Sequence, residues 1–432
     1  MDKKKNDVLI LGIALFSMFF GAGNLIFPPF LGLISGDKWN WSMIGFFMTG
    51  IGLPLLGIIA SAKAGGNVDK LGRKVSPIFS KFLGITIVLA IGPLLAIPRT
   101  GATAFEMGVA PLLPNANPII FSIVYFGIIF FLVIKPTNVI DKIGKVLTPA
   151  LLLILAALII RGIIYPMGTP VEENLARPFS DGFAQGYQTM DALAAILFGG
   201  IISASLIQKG YDNKQEQIDM TKKAGIIAIL GLTFVYGGLG YLGATGGSLF
   251  PKDISKTDLI MNIANNSLKS FGELGLGLAV ALACLTTAVG LTATTGQYFS
   301  QISNGKLKYE VVVTITILFS AIMSYKGVEF IISFAEPILV FMYPIVIVLI
   351  LLTALFGDGL ENDNVYKYAV YATLVISSIE VLGKLGLETN LTKLVGMLPL
   401  ASSGFSWVFP ALIGGIIGYF STSRKINADM NL

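Results

Sequence analysis

The side chains able to do chemistry are few. The chain has no histidine and a single cysteine, Cys284. That excludes a Ser-His-Asp triad, an HExxH zinc site, a histidine proton relay, an internal disulfide and a cysteine-rich metal site. What remains is a scatter of carboxylates, Arg99, and groups of glycine, asparagine and threonine set inside long apolar stretches. The ionisable residues expected to be buried are Arg99, Glu106, Asp191, Glu329, Glu336 and Glu380. None are clustered by spacing as an enzyme's acid–base pair would be. An unpaired charge at bilayer depth costs several kcal/mol, so each is read first as functional. Arg99 lies toward the outer end of its stretch, and Asp191, Glu106 and Glu336 share that outer half. An ion pair of Arg99 with Asp191 or Glu336 could latch an outer gate. A structural pair, or snorkelling of Arg99 to the interface, is the plainer alternative.

Three apolar stretches carry polar interruptions. The first reads Phe19-Phe20-Gly21-Ala22-Gly23-Asn24-Leu25-Ile26-Phe27-Pro28-Pro29. Each glycine lowers helix stability by about 1 kcal/mol relative to alanine, and a proline lacks the N–H of its turn. The run predicts an unwound stretch near Gly21–Asn24, with N–H groups facing an anion and carbonyls a cation. A packing groove with a proline kink is the alternative. The sixth stretch runs from Gln188-Thr189-Met190-Asp191 to Phe198-Gly199-Gly200, with the glycine pair near its midpoint. Paired interruptions at equivalent positions of two five-helix halves point to a transport site. No residue-level identity between the halves is visible, so the repeat is inferred. The eighth stretch holds Ala283-Cys284-Leu285-Thr286-Thr287, then Thr292, Thr294 and Thr295. Adjacent hydroxyls at midplane suit a hard cation such as sodium. Taken alone, they are more simply bonded to the carbonyls of the preceding turn.

The elements that must position these residues are membrane helices. Of the 432 residues, 54% are apolar and 13% charged; ordinary soluble domains carry about 25% charged residues. Twelve segments satisfy the length of roughly 20 apolar residues needed to span a bilayer: 8–34, 42–62, 82–105, 118–134, 146–165, 187–208, 224–244, 273–302, 310–325, 329–356, 366–383 and 405–421. Their apolar runs are continuous and do not alternate with period two, so helices and not a barrel are indicated. The first is too long for a signal peptide and carries prolines where a cleavage site needs small residues. With the N-terminus inside, 20 of the 30 lysines and arginines fall on the inner side and nine outside, with Arg99 in a span. This bias places both termini in the cytoplasm. The net charge of +5 therefore reflects topology, not nucleic-acid binding. Links 166–186, 245–272 and 384–404 are loop-sized and are expected to include short interfacial helices. Gly238-Leu239-Gly240-Tyr241-Leu242-Gly243 matches GxGxxG, but with no preceding strand it reads as a helix-packing surface.

Over nearly its whole length the chain resembles the branched-chain amino acid:cation symporter family of the BrnQ type. The matching parts are Phe20 to Pro29, Pro98-Arg99-Thr100-Gly101-Ala102 and Thr189-Met190-Asp191-Ala192-Leu193. The resemblance implies uptake of leucine, isoleucine and valine, driven by a cation gradient, commonly sodium, in bacterial plasma membranes. It implies a LeuT-like fold: an all-α polytopic membrane protein with two inverted five-helix repeats, about 8–165 and 187–356, and two peripheral helices, about 366–421. Gly21-Ala22-Gly23-Asn24 resembles the Gly-x-Gly-Asn break whose amides hold the substrate carboxylate in sodium-coupled relatives of that fold. Ala283-x-x-Thr286-Thr287 resembles their Ala-x-x-Thr-Ser sodium site, which implies carbonyl partners at Ser17 and Phe20. Those relatives carry an arginine soon after the break, where this chain has Ile26-Phe27-Pro28.

The function expected is a secondary symporter in the lipid bilayer. The carboxylate would meet N–H groups near Ala22 and Gly23, the ammonium the broken sixth helix near Gly199, and the aliphatic chain a pocket with Phe198. Sodium would sit at Ser17, Phe20, Ala283, Thr286 and Thr287. Proton coupling through Asp191 or Glu336 is the rival within this class. A channel would need filter-like repeats, and the sequence has none.

Overall fold

In lipid every backbone N–H and C=O must be bonded within its own segment, so long apolar runs become helices. The computed structural model describes residues 2–66, 68–134, 139–357 and 362–421, and all regular structure among them is helical. In chain order the α-helices are α1 (Asp2–Phe19), α2 (Ala22–Ser35), α3 (Trp39–Phe47), α4 (Leu53–Lys63), α5 (Val68–Leu71), α6 (Pro77–Leu89), α7 (Ala96–Gly108), α8 (Pro118–Ile134) and α9 (Val139–Ile164). There follow α10 (Pro178–Tyr187), α11 (Asp191–Gln208), α12 (Lys214–Thr245), α13 (Lys256–Ile302), α14 (Tyr309–Ser324), α15 (Val328–Leu355), α16 (Asp363–Lys384), α17 (Asn390–Gly396) and α18 (Val408–Phe420). Among the described residues seven helical stretches are long and apolar enough to cross a membrane, and four shorter apolar helices accompany them.

Each of the twelve predicted spans has a helical counterpart. The first is divided into α1 and α2. The sixth is divided into α10 and α11, and its first half occupies residues read from sequence as loop. The second is continuous through a π-turn at Met48–Gly52. The third bends at Gly92, where φ −90° and ψ −120° leave the helical region beside Pro93. Of the cations expected on the inner side, Lys135, Arg424 and Lys425 lie outside the described residues.

The chain forms two compact units. The first contains Met1–Ile51, Thr86–Asp191 and Ala224–Glu336. Here α13 packs along α7 and α9, α3 against α10, and α2 against α3 and α13. The Gly238–Gly243 run is a packing surface, as its sequence context requires. A Cβ on Gly243 would fall on the Pro29 carbonyl, and one on Gly32 would fall on the Gly240 carbonyl. Only glycines let α2 and α12 approach so closely. The first part of α13 is capped by Ser255, turns at Lys269 (φ 57°), and is tied to its neighbours. Lys256 pairs with Glu329 at 2.8 Å and lies 4.2 Å from the Phe30 ring centre. Glu106 accepts from the Thr257 hydroxyl at 2.7 Å and the Val328 amide at 2.8 Å, joining α7, α13 and α15.

The second unit contains Gly52–Ile85, Ala192–Lys223 and Pro337–Leu432. Within it Ser61 of α4 donates to the Ile196 carbonyl of α11 at 2.8 Å. Gly414 and Gly418 bring α18 onto the backbone of α16.

Candidate functional site

The break in the first span is shorter than the sequence predicts. The Phe20 amide still bonds the Phe16 carbonyl at 2.9 Å. Gly21 is extended (φ −117°, ψ −176°), and helix resumes at Ala22. The break is therefore Phe20 and Gly21, not the whole Gly21–Asn24 stretch. Ala22, Gly23 and Asn24 form the first turn of α2, which carries Pro28 and Pro29 within it. Helical geometry leaves the Ala22 and Gly23 amides without intrahelical acceptors. The same end carries the positive pole of the helix dipole.

The interruption in the sixth span lies elsewhere than expected. After Tyr187 the chain turns through Gln188, Thr189 and Met190, and Met190 takes φ +62°. The turn is closed by Met190 N to Tyr187 O at 3.0 Å and by the Thr189 hydroxyl to Gly186 O at 2.9 Å. From Asp191 the helix runs unbroken through Gly199 and Gly200. Those glycines serve packing: Gly199 faces Ser61 and Gly200 faces Gly66, with no room for a Cβ. Gly199 is thus not a break residue. Phe198 is half-buried, about two turns along α11 from Asp191.

Side chains join the two interruptions. The Asn24 amide nitrogen donates to the Phe19 carbonyl at 2.8 Å and to Asp191 Oδ2 at 2.8 Å, and it also meets the Tyr236 hydroxyl. The Tyr236 hydroxyl donates to Asp191 Oδ2 at 3.3 Å. Asn24, Asp191 and Tyr236 are 1%, 5% and 0% exposed, so this is a dry polar cluster. Asp191 sits at the N-terminus of α11, where a helix favours negative charge. From α7, Arg99 Nη1 donates to the Gln188 carbonyl at 2.7 Å, and its guanidinium carbon lies 5.5 Å from the Phe27 ring centre. A Cβ on Gly23 would lie only 2.7 Å from Arg99 Nη2, so glycine there makes room for the guanidinium.

Of the ionisable residues expected to be buried, Arg99 and Asp191 are, at 4% and 5% exposure. Glu106 and Glu380 are half-buried, whereas Glu329 and Glu336 are exposed. The last two stand near the beginning of α15, where a carboxylate reaches out of the packing. Ala283, Thr286 and Thr287 are half-buried on α13, Ser17 is half-buried on α1, and Phe20 is buried in the break. Thr286 donates to the Ala283 carbonyl at 2.9 Å, which commits its proton and leaves its oxygen lone pairs for another partner. Thr294 and Thr295 are bonded to the preceding turn at 2.8 Å each. Among the described residues no three His, Cys, Asp or Glu side chains converge as a metal site. A cation at Thr286 would be held by carbonyl and hydroxyl oxygens, which suits an alkali ion.

Two residues of the cluster escaped the sequence reading. Tyr236 looks like any core aromatic of an apolar helix. Gln188 is 7% exposed, and its side-chain oxygen has no hydrogen-bond partner. A glutamine just before an intramembrane Asp-Ala-Leu was the available signal.

The chain's resemblances agree with this geometry. Its fold is similar to that of MhsT, solved in complex with L-phenylalanine, with TM-score 0.58 and 16% identity over 95% of this chain and 97% of that one. It is also similar to Mhp1, a nucleobase-cation-symport-1 family transporter, with TM-score 0.63 and 12% identity over 95% and 91%. The fold is thus LeuT-like. Branched-chain amino acid permease BraB of Bacillus subtilis is 38% identical over 436 residues, covering 98% of each chain. Branched-chain amino acid permease BrnQ of the same organism is 36% identical over 431 residues, covering 97% of this chain and 98% of that one. These relatives are transport permeases, not enzymes. The family described as branched-chain amino acid transport protein matches residues 4–425, and the chain belongs to that family.

Proposed function

We propose that this protein is a sodium-coupled symporter that imports leucine, isoleucine and valine across the bacterial plasma membrane by alternating access. The observation that carries the reading is the joining of two interrupted helices by a dry cluster of Asn24, Asp191 and Tyr236, with Arg99 beside it. Interrupted helices at a repeat interface are how transporters present backbone groups to a small polar substrate. The substrate carboxylate meets the first-turn amides of Ala22 and Gly23. Its ammonium is received at the Gln188–Met190 turn, which takes the role first given to the glycine pair of α11. Sodium lies between the break and α13, on the carbonyls of Ser17, Phe20 and Ala283 and the hydroxyls of Thr286 and Thr287. A cation bridging two helices there stabilises the arrangement that binds substrate, and a ligand shifts an equilibrium only by such differential affinity.

Radiolabelled leucine uptake into proteoliposomes, with and without an inward sodium gradient at fixed pH, tests this. Uptake that requires sodium supports the reading. Uptake driven only by a proton gradient moves coupling to Asp191, the buried carboxylate of the cluster. Absence of leucine uptake under either gradient refutes the substrate class.

A further inference from the structure

We propose that the cleft beside Glu106, at the end of α7, holds the headgroup of a phospholipid that carries a primary ammonium next to its phosphate. The inference stands apart from the substrate site and gives the protein a lipid contact of defined chemistry.

The cleft is built where spans end. α7 stops at Gly108, α8 starts at Pro118, and α14 passes through the turn Tyr325-Lys326-Gly327 into α15. Between these ends lies a part-open cleft of about 150 Å³, whose lining includes Phe105, Glu106, Phe121, Tyr325 and Lys326. A pocket for a drug-sized molecule measures roughly 300–1,000 Å³, so this one suits a small polar group.

Glu106 asks for a cation that brings donors. It is half-buried, and each of its oxygens accepts one hydrogen bond, from the Thr257 hydroxyl and from the Val328 amide. A carboxylate has about four acceptor positions, so about two remain. Among the described residues no lysine or arginine pairs with it, since Lys256, next to Thr257 in the chain, is taken by Glu329. A carboxylate in a spanning helix is costly unless paired. Phe105 and Phe121, with ring centres 5.4 Å apart, give the cleft aromatic walls, to which a cation is also drawn. A choline headgroup carries the same charge but has no N–H to give Glu106.

The rim asks for an anion. Tyr325 and Lys326 are exposed in the turn, and such residues at span ends lie at headgroup depth. The Lys326 ammonium stands 4.7 Å from the Phe330 ring centre, and among the described residues it pairs with no carboxylate. A free amine would be repelled by this charge, whereas an ammonium with a phosphate beside it satisfies both Glu106 and Lys326. Next to the cleft, Ile119, Ile120 and Ile123 are exposed along α8, an apolar surface for acyl chains. Basic pockets between spanning helices are a recurring form of headgroup site.

The test is native mass spectrometry of the purified full-length protein in detergent, titrated with dioleoyl phosphatidylethanolamine or dioleoyl phosphatidylcholine. The ethanolamine lipid is expected to bind about tenfold more tightly than the choline lipid. Glu106→Gln keeps the shape of the side chain and is expected to erase that preference. Lys326→Gln, on the exposed turn, is expected to weaken both lipids about threefold and to leave the preference in place. It carries the test should Glu106→Gln fail to fold. Equal binding of the two lipids by the wild type overturns the inference, as does an undiminished preference in Glu106→Gln or unaltered binding in Lys326→Gln. Displacement of the lipid by O-phosphoethanolamine or by leucine at equal concentration also overturns it, because the cleft would then belong to a soluble ligand.

Discussion

Replacing Gly23 by alanine separates a functional contact from a structural one. The added Cβ would lie 2.7 Å from Arg99 Nη2, 3.2 Å from its Cζ and 3.4 Å from the edge of the Phe27 ring. Ordinary contact begins near 3.4 Å, so the guanidinium must retreat by about 0.7 Å, the difference between 3.4 and 2.7. Retreat along the 2.7 Å bond to the Gln188 carbonyl would stretch it beyond the usual N–H···O range of about 3.2 Å. Overpacking of this kind costs about 1–3 kcal/mol. Here the yielding group is the end of a flexible side chain, which favours the low end. Alanine in place of glycine in a helix returns about 1 kcal/mol. The net change in stability is therefore within about 1 kcal/mol, a few degrees in Tm at most. Function is expected to suffer far more, because misplacing a positioning group by about 1 Å can cost roughly 100-fold. Leucine uptake in proteoliposomes should lose 10–100-fold in kcat/KM, by about 1.4–2.7 kcal/mol, while thermal unfolding in detergent stays near wild type. Gly21→Ala is the control for folding: its backbone is extended, no atom lies within 4 Å of the added carbon, and Tm should hold. Wild-type uptake by Gly23→Ala would refute a role for Arg99 at the break. A collapse in Tm would show that Gly23 serves packing instead.

Thr286→Ala should raise the sodium concentration for half-maximal leucine uptake at least roughly tenfold, about 1.4 kcal/mol, with leucine affinity at saturating sodium little changed; an unaltered sodium curve would remove Thr286 from the cation site. Tyr236→Phe takes one donor from the buried Asp191 carboxylate and should destabilise the protein by about 1.5–3 kcal/mol in detergent unfolding; an unchanged midpoint would mean that Asn24 alone satisfies Asp191. Gly243→Ala sets a methyl group on the Pro29 carbonyl, where neither backbone can yield cheaply. It should cost more than about 3 kcal/mol and abolish a monodisperse peak on size exclusion, and normal yield and Tm would show that α2 and α12 have room to separate.

What the sequence disclosed, and what it concealed, follows from the physics of each signal. Span positions were legible because apolar length is nearly sufficient in lipid. The first break was legible because Gly21, Gly23 and two prolines all oppose a continuous helix. Its extent was overestimated because α2 tolerates Pro28 and Pro29 and absorbs Gly23 and Asn24 into its first turn. The second break was placed at Gly199-Gly200 because glycine signals both unwinding and close packing, and periodicity cannot tell which. In the fold those glycines receive Ser61 and Gly66, while the chain turns at Met190, whose positive φ no composition rule anticipates. Glu329 and Glu336 were expected to be buried because the apolar run surrounds them, yet both are exposed on α15. Arg99 and Asp191 were each legible as isolated charges, but their joint placement at the two breaks depends on tertiary packing.

The two breaks share a polarity that bears on what they bind. Interrupting a helix frees carbonyls on the preceding segment and amides on the following one. At both breaks a carbonyl before the resumed helix is met by a side chain: Asn24 donates to Phe19, and Arg99 donates to Gln188. Both donors come with a further attachment, Asn24 to Asp191 and Arg99 to the Phe27 ring. The Asn24 amide bonds the Gly21 carbonyl at 3.1 Å, whereas helical geometry gives the Ala22 and Gly23 amides no intrahelical acceptor. The Phe19 carbonyl is thus met from within the protein while the Ala22 and Gly23 amides lack an intrahelical acceptor, so the first turn of α2 favours an anionic group. In the symport reading proposed above, a cation would use carbonyls that these donors do not reach, that of Phe20 in the break among them. A substrate carboxylate on one side of Gly21 and a coupling cation on the other would stabilise each other across a single extended residue. In that reading such proximity would couple their binding with no need for a long pathway through the fold.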